Sequence, residues 1–181
     1  MLTLLVTCVF WGTWFTLTRS IRDFSAAEFI HIGKTIIANV ATPMRIIMPA
    51  TLLSMLIAVL LSRHVNRTSF YLYIASFLLM AITLIITVAI EVPIDNQIKT
   101  WTSTTLPSNW ESLRQRWDTF HTLRTFTSLA SFSFFSWGVV SRIKWAATIT
   151  ELKLSQKAIV FFMGTYPEPN HCLSFFHSNS P

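Results

Sequence analysis

Apolar runs recur four times along the chain and set its plan. Positions 2–18 and 46–62 carry no charged residue, and 70–90 form the longest uncharged run. A fourth run, at about 120–140, holds His121 and Arg124 near its beginning. At the ~1.5 Å rise of a helix, runs of this length approach or match a ~30 Å bilayer core. A spanning segment must satisfy its own backbone groups, and none of the four shows the period-two alternation of a membrane barrel. The pattern therefore predicts an all-α fold: an integral membrane four-helix bundle over residues 1–145, with spans at about 2–18, 46–62, 70–90 and 120–140.

The polar stretches between the runs are unequal. Residues 63–68 read as a tight basic turn. Residues 19–45 and 91–119 form two long connections, which in a four-span topology lie on one side of the membrane, opposite both termini. The first connection includes AAEFIHIGKTIIANVATPMR, predicted to contain a helix, and Ser25 with Glu28 three residues later has the spacing of a capping box. The second opens on EVPIDN, where Pro93 is expected to push Val92 out of helical geometry. After Pro107, Ser108 and Glu111 repeat the capping spacing, so a helix is predicted to start near Asn109 and to run on into the fourth span. Residues 146–181 read as a tail, irregular or lying on the membrane surface: AIVFFMGT is too short to span, and TYPEPNHCLSFFHSNSP has the composition of an irregular segment.

Composition narrows the solvent and the partners. The chain is 52% hydrophobic and 12% charged, against about 25% charged in a soluble domain. Its net charge of +6 comes from basic residues that cluster between the apolar runs. That placement fits membrane lipids as partners, and no basic stripe stands clear of apolar sequence as a nucleic-acid footprint would. The short basic turn weighs most in the positive-inside rule, which puts the termini on the cytoplasmic side of an expected bacterial inner membrane. The N-terminal run lacks a basic leader and a small-x-small cleavage site, and reads as a retained first helix. Two cysteines without a CxxC give no support to dithiol chemistry, and Cys8 reads as a small buried hydrophobe.

Candidate chemistry sits at the entrance to the fourth run. Trp110, Arg114, Trp117, His121, Arg124 and Ser128 follow at steps of three and four, so they share one helical stripe. Either the tryptophans form an interfacial belt while the arginines reach headgroups, or the stripe faces the bundle and lines a polar cavity. Glu91 and Asp95, at the end of the third run, lie at the same membrane level as His121 and Arg124. A Glu91–Arg124 ion pair would compensate both charges, either as a helix lock or as part of a site. His121 beside a carboxylate is a candidate proton acceptor. His31 shares a helix face with Lys34, as a solvated surface or as a further wall of the cavity, and Arg45, Met48 and Pro49 open the second span. His31, His121, Glu91 and Asp95 are ligand types a metal would accept, but no close HxxxH-type spacing backs them.

The runs EVPIDNQIKTW and LPSNWESLRQRWDTFHTLRT resemble the signature of a membrane family related to anthrone oxygenases. The motif-bearing match covers about residues 91–125, and the hydropathy layout is similar over about 1–142. The resemblance implies a small four-helix membrane protein with Pro93 and Asp95 or Asn96 in the first motif, and Trp117, His121 and Arg124 in the second. Fungal members are implicated in oxidising anthrones to anthraquinones without a metal or flavin, so no cofactor is expected. On that reading His121 is the base, Arg124 holds the developing anion, Glu91 or Asp95 orients the histidine, and Trp110 and Trp117 stack a lipophilic aromatic ligand, with Arg114 and His31 at its margin. The leading expectation is a small multi-pass membrane protein of unassigned biochemical role in which the stripe is structural, and a cofactor-independent membrane oxygenase acting on an aromatic or quinone-like lipophile is the alternative to it.

Overall fold

Ser25 and Glu28 close their capping box: the Glu28 N–H donates to Ser25 Oγ (3.4 Å) and the Ser25 N–H to Glu28 Oε2 (2.8 Å). The helix that starts there does not stop at the second apolar run. In the computed structural model, which describes residues 1–63, 66–102 and 104–164, α2 runs unbroken over Ala26–Ser62 with Pro43 and Pro49 inside it. Before it, α1 (Leu2–Thr13) widens into a π turn at Trp14–Thr18. After it, α3 (Arg67–Ile86) begins under an Asn66 side chain that accepts from the Thr68 and Ser69 N–H groups. It passes through a second π turn, Thr87–Glu91, into α4 (Val92–Thr100). Finally α5 covers Trp110–Gly164, its first turn closed by the Leu113 N–H on the Asn109 carbonyl. The described residues contain no strand, and the fold is an all-α bundle of four helical rods.

One expectation is corrected here. EVPIDN does not open a loop, and Val92 is helical, at φ −58° and ψ −43°. Proline lacks a donor and its ring strikes the carbonyl four residues back. The π turn just ahead of Val92 widens the helix and moves its hydrogen bonds out of register, which lets Pro93 sit in the first turn of α4. The helices expected after Ser25 and from about Asn109 are present, and the second connection is helical at 92–100 as well. Residues 26–45 extend the second rod, 92–100 the third and 110–119 the fourth. They are helical because they pack: Ile94 and Ile98 of α4 bury against a cluster with Phe29, Ile30 and Ile37 of α2, Leu17, Ile21 and Trp117. A second cluster joins Val6, Phe10, Met48, Met55 and Met80.

Between α3 and α5 small polar residues make further contacts. Ser76 Oγ donates to the Ser131 carbonyl (2.7 Å), Ser131 Oγ returns a bond to the Ser76 carbonyl (2.8 Å), and Ser69 Oγ donates to the Gly138 carbonyl (3.0 Å). Ser62, Ser69, Ser76, Thr83, Thr125 and Ser128 are fully buried, while Leu53, Leu60, Leu61, Ile82 and Ile85 are exposed. Among the described residues Ala26–Ser62 and Arg67–Thr100 are long and apolar enough to cross a membrane, and Leu2–Thr18 is a shorter apolar helix. Only 22% and 28% of the apolar windows of the two long stretches are buried, too little for the core helices of a soluble protein.

The chain divides into two units, Met1–Ser141 and Arg142–Pro181. The first holds the bundle. In the second, where the sequence predicts a tail from residue 146 that is irregular or lies on the membrane surface, the chain is helical as far as Gly164. Residues 165–181, including Cys172, lie outside the described residues. Cys8 is exposed rather than buried, since α1 turns Val6 and Phe10 inward instead.

Candidate functional site

The stripe on α5 faces inward. Trp117, His121 and Ser128 are buried, and the Arg124 side chain is 11% exposed. Opposite them, the π turn ends at Glu91, which is 0% exposed, and Asp95 follows one turn later. Phe10 of one apolar cluster and Trp117 of the other bound the group on its two sides.

Arg124 organises the contacts. Its Nη2 lies 2.9 Å from Glu91 Oε2 and 2.8 Å from His121 Nδ1. Its Nε donates to the same Nδ1 (3.2 Å), its Nη1 donates to Thr87 Oγ1 (3.3 Å), and its guanidinium lies 4.5 Å from the Phe10 ring centroid. The approach to Glu91 is close but poorly aligned, so neither carboxylate oxygen has a directed hydrogen bond among the described residues. Charge, rather than a directed bond, holds this pair. His121 Nδ1 is 4.0 Å from Glu91 Oε2. Because a guanidinium only donates, Nδ1 must accept, and the ring proton of the neutral imidazole is placed on Nε2. That nitrogen is buried and makes no well-aligned hydrogen bond among the described residues. The imidazole stacks on Trp117, whose Nε1–H donates to Asp95 Oδ1 (3.2 Å).

A cavity of about 260 Å³ opens beside this group, just under the size range of small-molecule sites, roughly 300–1,000 Å³. Its walls are mostly apolar, with Val40, Met44 and Met48 of α2 and Leu84 and Val88 of the third rod among them. Its polar wall is made by Thr87, Asp95, Asn96, Trp117 and Arg124. Arg45 and Lys99 also line it. His121 and Glu91 do not, and stand behind Arg124.

The structure thus assembles five of the eight candidate residues, three of them at the cavity wall. Trp110 and Arg114 go elsewhere. Arg114 packs on the Trp110 ring (4.8 Å) and donates to the carbonyls of Ile21 and Phe24 (both 3.3 Å), while Trp110 packs against Phe29. They tie the start of α5 to the segment after α1, one helical turn and more from the cavity wall. His31 is exposed on the outer face of α2, because Phe29, Ile30 and Ile37 take the inner one. It does not join a ligand set: no group of three or more His, Cys, Asp or Glu among the described residues is placed to hold a metal. Thr87 and Phe10 are site residues that sequence reasoning missed. Thr87 stands four residues before Glu91 and was legible by that spacing, whereas Phe10 lies in a charge-free run with nothing to mark it.

No curated protein and no solved structure matches this chain. The family profile described as anthrone oxygenase matches residues 37–134, more than half of the chain. The matched stretch contains the cavity-lining part of α2 from Ile37 on, the π turn with Glu91, Asp95, and the α5 stripe through Arg124. The chain belongs to the anthrone oxygenase family.

Proposed function

We propose that this chain is a multi-pass integral membrane protein whose cavity binds a lipophilic aromatic carbon acid and oxidises it with dioxygen. The membrane part of the reading is supported by an exterior rich in leucine and isoleucine around an interior that buries serine and threonine beside its apolar clusters. Such an exterior is the arrangement of lower free energy in hydrocarbon, not in water. The chemical part rests on one observation: Arg124 reaches a mostly apolar cavity beside Asp95 and Trp117, and is held from behind by Glu91 and His121.

The roles follow from which groups line the cavity. Asp95 takes a proton from an acidic C–H of the substrate, whose anion delocalises onto a phenolic oxygen held by Arg124. The anion gives one electron to dioxygen, the two radicals combine at carbon, and the proton completes a hydroperoxide. Loss of the second C–H proton with cleavage of the O–O bond releases one water and leaves a carbonyl. A CH2 group and O2 thus become C=O and H2O. Trp117 orients Asp95 through its N–H and offers an aromatic wall. His121, with its Nδ1 occupied by Arg124 and its ring shielded from the cavity, is a positioning residue and not the base.

Purified protein in lipid nanodiscs, given an anthrone, should consume oxygen and form the quinone chromophore. Asp95→Asn should lower kcat by about 100- to 10,000-fold, the range for loss of a general base, and leave ligand binding measurable. Wild-type turnover in Asp95→Asn would overturn the assignment. A second reading, in which Glu91, His121 and Arg124 only lock two rods together, is favoured by the absence of His121 and Glu91 from the cavity wall. It predicts no oxygen uptake at all.

A further inference from the structure

The cavity holds more positive charge than the oxidation needs. Arg124, Arg45 and Lys99 line it, against Asp95 as its one acid. Glu91 balances Arg124 from behind, and Asp95 offsets one of the other cations. One formal positive charge is left over, on residues that line the mostly apolar cavity and are themselves exposed. Arg45 makes no hydrogen bond, ion pair or ring contact among the described residues, and the one side-chain bond of Lys99 is to Asn96 Oδ1 (3.2 Å). Arg45 has no protein carboxylate as partner, and Lys99 meets Asp95 only through space, without a hydrogen bond to it. The two come from different rods: Arg45 lies on α2, one turn before Pro49, and Lys99 lies one turn beyond Asp95 on α4.

We infer that the ligand carries a carboxylate, and that Arg45 and Lys99 are the residues that select it. The inference rests on the cavity binding a lipophilic aromatic molecule, and it narrows that class to aromatic monocarboxylic acids. A single negative charge matches the single surplus cation. The planar fork of Arg45 suits a carboxylate, which it can bond at both oxygens, and Lys99 adds a point charge. Arg124 commits four of its five N–H donors to Glu91, His121 and Thr87, and the one left on Nη1 serves the charge that develops in the reaction. The apolar walls take the rings. Anionic oxygens of a lipid headgroup offer Arg45 and Lys99 the same chemistry, so the two sources have to be separated by experiment.

The test needs no turnover. Binding of anthracene-2-carboxylate and of its neutral carboxamide is measured by equilibrium dialysis against protein in phosphatidylcholine nanodiscs, with empty nanodiscs subtracted. The acid should bind about tenfold more tightly than the amide, the size expected for a charge-assisted hydrogen bond. In Arg45→Gln the ratio should collapse toward one. Arg45→Lys, which keeps the charge, should retain part of it, and Arg67→Gln, an exposed arginine away from the cavity, should retain all of it. The preference should survive nanodiscs containing phosphatidylglycerol. Equal binding of acid and amide in the wild type overturns the inference. A preference that persists in Arg45→Gln also overturns it, as does displacement of the acid by phosphatidylglycerol, which would assign the cations to lipid. If neither compound binds above empty nanodiscs, the cavity reading itself falls. If the acid binds selectively but no anthrone is oxidised, the selectivity stands and the oxygenase reading fails.

Discussion

The imidazole of His121 lies flat on the indole of Trp117, with ring centroids 4.7 Å apart and planes 4° from parallel. Each ring passes a polar contact to a different cavity residue: Trp117 Nε1–H to Asp95, and His121 Nδ1 to Arg124. The stacked pair therefore sets the spacing between the acid and the cation. Trp117→Phe keeps a ring and removes the donor. It should lower kcat about tenfold or more, since a hydrogen bond to a charged group contributes roughly 1.5–3 kcal/mol, with a much smaller change in KM. An unchanged kcat would show that Asp95 does not depend on the indole.

Glu91 and Arg124 are both buried, and their contact is electrostatic rather than well aligned. Glu91→Leu leaves the guanidinium uncompensated and should destabilise the protein by about 3–5 kcal/mol. Glu91→Leu with Arg124→Met removes both charges and should restore unfolding stability to within about 1 kcal/mol of the wild type, because such pairs are close to neutral against apolar replacements. Activity should not return. Denaturant unfolding in detergent micelles measures both, and a double variant no more stable than the single one would contradict the pairing.

Gly138 is required by a close approach. A Cβ built there would lie 2.7 Å from Tyr73 Cε1 and 2.9 Å from Cδ1. Gly138→Ala should therefore cost about 1–3 kcal/mol through overpacking. Tyr73→Phe leaves the clashing ring atoms in place and should not relieve it, whereas Tyr73→Leu should recover part of the loss. Thermal unfolding of the three variants decides this.

The reciprocal bonds of Ser76 and Ser131 make a milder prediction. Ser76→Ala should cost only about 0.6 kcal/mol, the average for hydrogen bonds between membrane helices. Ser76→Leu should cost several times more, because it forces apart two rods whose backbones are bridged by one side chain. Equal losses for the two variants would mean that the bond, and not the spacing, matters.

What was legible in the sequence was whatever depends on periodicity and on local caps. The four uncharged or nearly uncharged runs locate the four rods, Ser25 and Glu28 locate the start of α2, and the step pattern from Trp110 to Ser128 locates the inward stripe through Trp117, His121 and Arg124. The Glu91–Arg124 pair followed from placing two helix ends at one level. The rest depended on contacts between distant segments. Ile94 and Ile98 are two apolar residues in a polar stretch, and nothing local says that they will bury against α2 and keep 92–100 helical. Pro93 reads as a helix boundary because the widened turn that tolerates it has no residue signature. The stripe spacing also does not show that Arg124 folds back onto the ring of His121.

The π turn at Thr87–Glu91 has a consequence for helical phase. A π turn carries one residue more than the α turn it replaces, so everything after it is rotated relative to a regular helix. Deleting one of residues 88–90 would give the third rod an ordinary helix of nearly the same hydropathy, and composition would hardly register the loss. Yet Asp95 and Lys99 would swing by about 100° around the axis, away from the cavity they line. A shift of one letter at this point separates a rod that only fits the bundle from a rod that brings its acid and its cation to the same wall.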